Sequence, residues 1–149
     1  MPKAEQTIIV NAPVSFCFKK YTDFVSYPEF MDYIKEIKLD PTNHKNMHWV
    51  ITSPVGLEFE FDAFVTEQID NQKIAWQSVE GSDIKTQGHT LFDAISENQT
   101  RLTTQMEYEP PAGVLGETVA KLFSNPQDML ENDLKNFKKQ AEARQASSV

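Results

Sequence analysis

The chain has 149 residues, with 14 Lys plus Arg against 22 Asp plus Glu for a net charge of −8. A chain of that length buries about 70% of its unfolded surface in one core, so a single domain over residues 1–149 is expected. The acidic balance has the wrong sign for attachment to phosphate backbones, and no nucleic-acid partner is expected.

Uninterrupted apolar runs stay as short as Ile8-Ile9-Val10, far below the ~18 residues that span a bilayer, so stable membrane insertion is not expected. Met1 to Val10 lacks the apolar stretch of a signal peptide, which points to the cytoplasm. A lone cysteine, Cys17, excludes an intrachain disulfide or a thiolate metal cluster. With 40% hydrophobic and 11% aromatic residues, the chain is a folded globule.

Glu5 to Val10 forms an opening strand, and Asn11-Ala12-Pro13 then starts a helix, with Asn11 as cap and Pro13 in the first turn. Val14, Cys17, Phe18 and Tyr21 recur at helical spacing. Tyr27-Pro28-Glu29-Phe30-Met31 begins a second short helix, since proline needs no amide partner in a first turn.

From Ile34 the period changes to two. Met47, Trp49 and Ile51 alternate with His48, Val50 and Thr52, and more cleanly Leu57, Phe59, Phe61, Ala63 and Val65 interleave with Glu58, Glu60, Asp62, Phe64 and Thr66. Asp70-Asn71 and Gly81-Ser82-Asp83 turn the chain into Lys73 to Ser78 and then Gly88 to Ala94. A last strand alternates Leu102, Thr104, Met106 and Tyr108 against Arg101, Thr103, Gln105 and Glu107, and Pro110-Pro111 stops it. With Ile34 to Leu39 these make six consecutive strands, the pattern of an antiparallel meander with one buried face.

Leu115, Val119, Leu122 and Phe123 restore the helical period up to Asn125-Pro126, where a cap and a first-turn proline start a fresh helix. Leu130, Leu134, Phe137 and Ala141 mark its apolar stripe, and Arg144 to Val149 is expected to fray. The simplest way to bury every apolar face in this α+β order is to curl the sheet around the last helix.

Several segments carry a family resemblance. They are Val10-Asn11-Ala12-Pro13-Val14, Thr22-Asp23-Phe24 with Tyr27-Pro28-Glu29-Phe30-Met31, His48-Trp49, and Ile74-Ala75-Trp76-Gln77-Ser78 followed by Gly81. Tyr108-Glu109-Pro110-Pro111-Ala112-Gly113 with Gly116, and Asp133-Leu134-Lys135-Asn136-Phe137-Lys138, complete the set. Over nearly its whole length the chain resembles the START-related helix-grip (SRPBCC) superfamily, in the polyketide cyclase/dehydrase branch, which includes coenzyme-Q-binding START-like proteins. The resemblance implies a curled seven-stranded antiparallel sheet gripping a long C-terminal helix, with two short helices after strand 1 and an elongated cavity between sheet and helix. It does not imply one function, because this scaffold carries lipid carriers, receptors and cyclases alike.

No established catalytic or cofactor motif is present, so no catalytic residue, cofactor or metal is assigned. His44 lies in a polar turn, and His48 and His89 fall on the strand faces opposite Trp49 and Phe92. Glu58, Glu60 and Asp62 share a polar phase and read as a solvated face. The arginines are Arg101, out of phase with the buried set, and Arg144 near the C-terminus, which argues against the cationic cavity that a cyclase would use to orient a poly-keto chain.

The sheet face turned to the helix carries Trp49, Phe59, Phe61, Trp76, Ser78, Thr90, Phe92, Thr104, Met106 and Tyr108. These residues describe either an apolar ligand pocket with a few orienting hydroxyls or a plain packed core. The resemblance adds Phe30, Met31, Val119, Leu122, Phe123 and Leu130 to the wall. Pro54-Val55-Gly56 and Pro110 to Gly116 are candidate gates through their glycine hinges, and Phe64 with Leu91 is a candidate homodimer patch on the outer face.

The expected function is binding or transport of a hydrophobic small molecule, such as a lipid, quinone or polyketide-like aromatic. The alternative is a cyclase or dehydrase in which Tyr108, Ser78 or Thr104 orients a carbonyl substrate. A third reading, implied by the resemblance because some relatives inhibit translation at the ribosome, needs a basic face that the charge of −8 does not favour.

Overall fold

The computed structural model describes residues 3–52, 58–82, 84–109 and 126–147. In chain order these form β1 (Lys3–Val10), α1 (Val14–Tyr21), a 3-10 helix (Phe24–Glu29), β2 (Ile34–Leu39), β3 (Asn46–Thr52) and β4 (Glu58–Ile69). Then follow β5 (Lys73–Ser78), β6 (Lys85–Ser96), β7 (Gln99–Glu109) and α2 (Pro126–Ser147). The strands make one seven-stranded sheet, β1-β7-β6-β5-β4-β3-β2, antiparallel throughout.

The expected meander from β2 to β7 is present, and β1 returns to pair with β7 over its whole length, Lys3 opposite Glu107 and Val10 opposite Thr100. Asn71 at φ 62 and Gly81 at φ 89 supply the left-handed turn residues. Register shifts at Ile34/Glu36, Val65/Glu67 and Ala94/Ser96 are bulges, which bend strands and let the sheet curl.

Gly88 interrupts β6 for a packing reason. A Cβ there would meet the Gln105 carbonyl and the Trp76 ring, both at 2.7 Å, so the missing side chain is what lets the indole lie across the strand.

The free edge of β1 is sealed by α2. Gln127 accepts from the Glu5 amide at 3.1 Å and donates to the Glu5 carbonyl at 2.7 Å, while Lys138 donates to the Ile9 carbonyl at 2.7 Å. An edge whose main-chain groups are occupied by its own helix is less open to pairing with another chain. Beneath this seam Phe137, Leu134 and Ala141 of α2 are buried against the sheet, as their spacing requires.

Local expectations are corrected at three places. Pro13 is the N-cap of α1 (φ −60°, ψ 150°), not a first-turn residue. Asn11 does not cap; its amide donates to Glu142 and its carbonyl oxygen accepts from Gln99, both at 3.0 Å, tying the end of β1 to α2.

The second short helix is a 3-10 turn that starts at Phe24, because the Ser26 amide donates to the Asp23 carbonyl and the Ser26 hydroxyl to the Asp23 carboxyl. Pro28 therefore falls inside it. Finally, α2 continues to Ser147 rather than fraying from Arg144. Its end is rich in alanine, the best helix former, and Arg144 lies 3.8 Å from Glu29.

Among the described residues, no helix is long and apolar enough to cross a membrane. On the outer sheet face Leu91 is 39% exposed, whereas Phe64 is only half-buried. His48 sits there between Asp62 at 2.8 Å and Glu60 at 3.2 Å. The hydrogen bonds that its protonated ring donates to these two carboxylates raise its pKa above the usual 6.5.

Candidate ligand cavity between sheet and C-terminal helix

The space between sheet and α2 is filled at one end and hollow at the other. At the filled end the Tyr21 ring of α1 stands edge-on to Phe92 at 5.6 Å and to Phe137 at 5.2 Å, and Phe18 meets Phe92 at 5.2 Å. Below the Tyr21 hydroxyl lies a closed ring of hydroxyls. Thr90 donates to Tyr21 at 2.9 Å, the Thr90 and Thr104 oxygens are 2.8 Å apart, and Tyr21 and Thr104 are 3.4 Å apart. These groups satisfy one another, which is what allows Thr90 and Thr104 to be fully buried.

Toward β2–β5 the walls separate and leave a cavity of about 100 Å³, counted as space open to the centre of a water molecule. One water needs ~10–15 Å³ on that measure, so there is room for a ligand of roughly ten heavy atoms. Trp49 and Phe61, stacked with centroids 5.8 Å apart, line it together with Trp76, Met106, Tyr108 and Leu130, while Thr104 forms the floor. All seven are sequence-expected wall residues.

Five others do not line the cavity. Thr90 and Phe92 lie beneath Tyr21, whose ring takes the space they would have faced. The Ser78 hydroxyl is engaged at the β5–β6 seam, where it accepts from the Thr86 amide at 3.1 Å. Phe59 is buried opposite Ile51, and Phe30 packs on Tyr27 and Phe137 at 5.5 and 6.1 Å. Val119 and Phe123 lie outside the described residues, as do Leu57, Leu122 and both candidate gates.

The structure also brings in groups that the period-two reading of the sheet misses. Tyr33 donates to Asp133 Oδ2 at 2.6 Å, and both residues line the cavity. Asp133 is only 7% exposed. Burial raises its carboxyl pKa to about 7, partly opposed by the hydrogen bond from Tyr33 and helped by the neighbouring charge of Asp32.

Tyr27 donates to the Tyr21 carbonyl, and burial pushes the phenols of Tyr27 and Tyr33 well above their usual range, so they remain donors at neutral pH. Spacing offered a signal for Asp133. It falls three residues after Leu130 and four before Phe137, squarely on the apolar stripe of α2.

Trp49 carries a second signal. Its Nε1 is buried and, among the described residues, has no hydrogen-bond partner. An unpaired buried donor costs about 1–3 kcal/mol, so this wall has a place for an acceptor. Among the described residues, no group of three or more His, Cys, Asp or Glu is arranged to hold a metal ion.

Comparison with known proteins bears on the family and the fold. The family described as "Polyketide cyclase / dehydrase and lipid transport" matches residues 10–135. An uncharacterized 17.2 kDa protein encoded in the melC2-rnhH intergenic region of Streptomyces lincolnensis is 32% identical over 144 residues, covering 97% of this chain and 92% of its own.

Among solved structures, the Zhui aromatase/cyclase from Streptomyces sp. R1128 superposes with a TM-score of 0.77 at 13% identity, over 96% of this chain and 94% of its own. A START superfamily protein from Mycobacterium smegmatis gives 0.72 at 19% identity, over 99% of both chains. At such identities the likeness is one of fold, and the fold is the helix grip that the family resemblance implied.

Proposed function

We propose, given that this chain belongs to the polyketide cyclase / dehydrase and lipid transport family, that it binds an apolar small molecule in the cavity between the sheet and α2. The observation that carries this reading is the cavity itself, walled by both tryptophans of the chain and holding an indole N–H with no partner among the described residues. A bicyclic ligand that buries ~150–250 Å² gains ~4–6 kcal/mol at about 25 cal/mol per Å², and the polar groups of the wall set its orientation.

Native mass spectrometry of protein purified gently from its own host, followed by organic extraction, is expected to show a stoichiometric apolar passenger. Since both tryptophans line the cavity, their emission reports occupancy as well. A protein that flies empty, and whose emission no apolar probe shifts, overturns the reading.

The enzymatic alternative has its own support. Asp133, with a pKa of about 7 and a phenol on its carboxyl, is able to give or take a proton at neutral pH. Thr104 and Tyr108 remain on the cavity wall, although the Thr104 hydroxyl is engaged with Thr90 and Tyr21; Ser78 does not line it. On this reading turnover of a poly-keto substrate inflects near pH 7, and the inflection is lost in Asp133→Asn.

A further inference from the structure

The ionisable side chains that line the cavity among the described residues are Asp133 and four tyrosines; no Lys, Arg or His of the described set does so. All of these are acids. When they ionise they add negative charge, and the wall holds no cation to balance an incoming anion.

Asp133 is surrounded by the same kind of group on every side: Tyr33 and Asp32 ahead of β2, Tyr21 of α1 and Tyr27 of the 3-10 helix. Its own helix contributes the apolar Leu130 and Leu134 to the cavity. Among the described residues, the hydrogen bond to its side chain is the one from Tyr33, which takes one of the several lone-pair sites that a carboxylate offers.

We propose that the cavity selects a non-anionic ligand, an apolar ring system of about ten heavy atoms that presents a hydroxyl or amine donor to the Asp133 carboxyl, and that it rejects carboxylates and phosphates. This rests on the binding function proposed above. The physical reason is desolvation. An anion entering an apolar wall loses its hydration and meets only carboxyl and phenol groups, whereas a donor meets an acceptor already held in place by Tyr33. A protonated amine gains most, because a charge-assisted bond to a carboxylate is stronger than a neutral one.

The test uses three probes of matched size by isothermal titration calorimetry at pH 8: 2-naphthol, 2-naphthoate and 2-(aminomethyl)naphthalene. The amine and the naphthol are each expected to bind about tenfold or more tighter than the naphthoate. In Asp133→Asn, where the amide oxygen can still accept from Tyr33, the ratio of amine to naphthol affinity falls about tenfold.

A second readout needs no variant. At pH 6 the amine is expected to displace close to one proton from the wild-type protein, seen as a binding heat that varies with the ionisation enthalpy of the buffer. Naphthoate binding as tightly as naphthol overturns the inference while leaving the cavity reading intact, and so does amine binding with no proton release. Failure of all three probes to bind overturns both.

Discussion

The two ends of the grip are built from similar residues and behave differently. At one end Phe18, Tyr21, Phe92 and Phe137 meet edge to face and leave their neighbours fully buried. At the other, Trp49, Phe61, Trp76 and Met106 stand around about 100 Å³ of space. The contrast shows that aromatic content does not decide whether a core is full. What decides is whether the side chains that meet between sheet and helix close the gap, as Tyr21 does where it stands edge-on to both Phe92 and Phe137.

The largest effect should come from emptying the filled end. Phe137→Ala, at 0% exposure, is expected to cost about 3–5 kcal/mol in a denaturant melt. A loss under ~2 kcal/mol would mean that this end is no better packed than the other.

Next is the carboxyl at the hollow end. Because the folded state holds Asp133 near 7 while the unfolded chain titrates near 3.9, the folded state binds more protons between these values. Its contribution is most favourable below pH ~4 and declines by ~1.4 kcal/mol per pH unit to about pH 7, roughly 4 kcal/mol in all. Asp133→Asn should remove that decline from the stability–pH curve; an unchanged curve would mean that the carboxyl is hydrated in the folded state.

A paired insertion compares the two ends directly. Ala141→Leu at the filled end should cost about 1–3 kcal/mol by overpacking, whereas Ala63→Leu, on the cavity wall, should cost under ~1 kcal/mol and weaken probe binding. Equal costs would erase the distinction.

The smallest effect lies on the outer face, away from both ends. The raised pKa of His48 adds stability that is fully present below about pH 6.5 and lost as pH rises through the folded value. The side chain is 41% exposed, so His48→Gln should change stability by under ~1 kcal/mol, and less at high salt.

Much of the scaffold was readable from spacing alone. The period-two runs that contain Phe61, Thr104 and Tyr108 name the inner face correctly, and Leu130, Leu134, Phe137 and Ala141 name the buried stripe of α2. The site was readable in part. Trp49 and Trp76 were legible as wall residues, but Thr90 and Phe92, in the same phase, face Tyr21 instead of the cavity. Strand periodicity assigns a face and says nothing about what stands opposite it. Asp133 was visible as an acid on an apolar stripe, while Tyr33 precedes β2 and belongs to no periodic run.

Composition and hydrophobic period were enough to specify an α+β fold with a curled sheet around a terminal helix, because burying each apolar face leaves few arrangements open. Where the core is full, where it is hollow, and that a carboxyl sits at the hollow end beside a phenol from elsewhere in the chain emerged only on folding. Those features depend on side chains distant in sequence competing for the same volume, and local spacing carries no information about that competition.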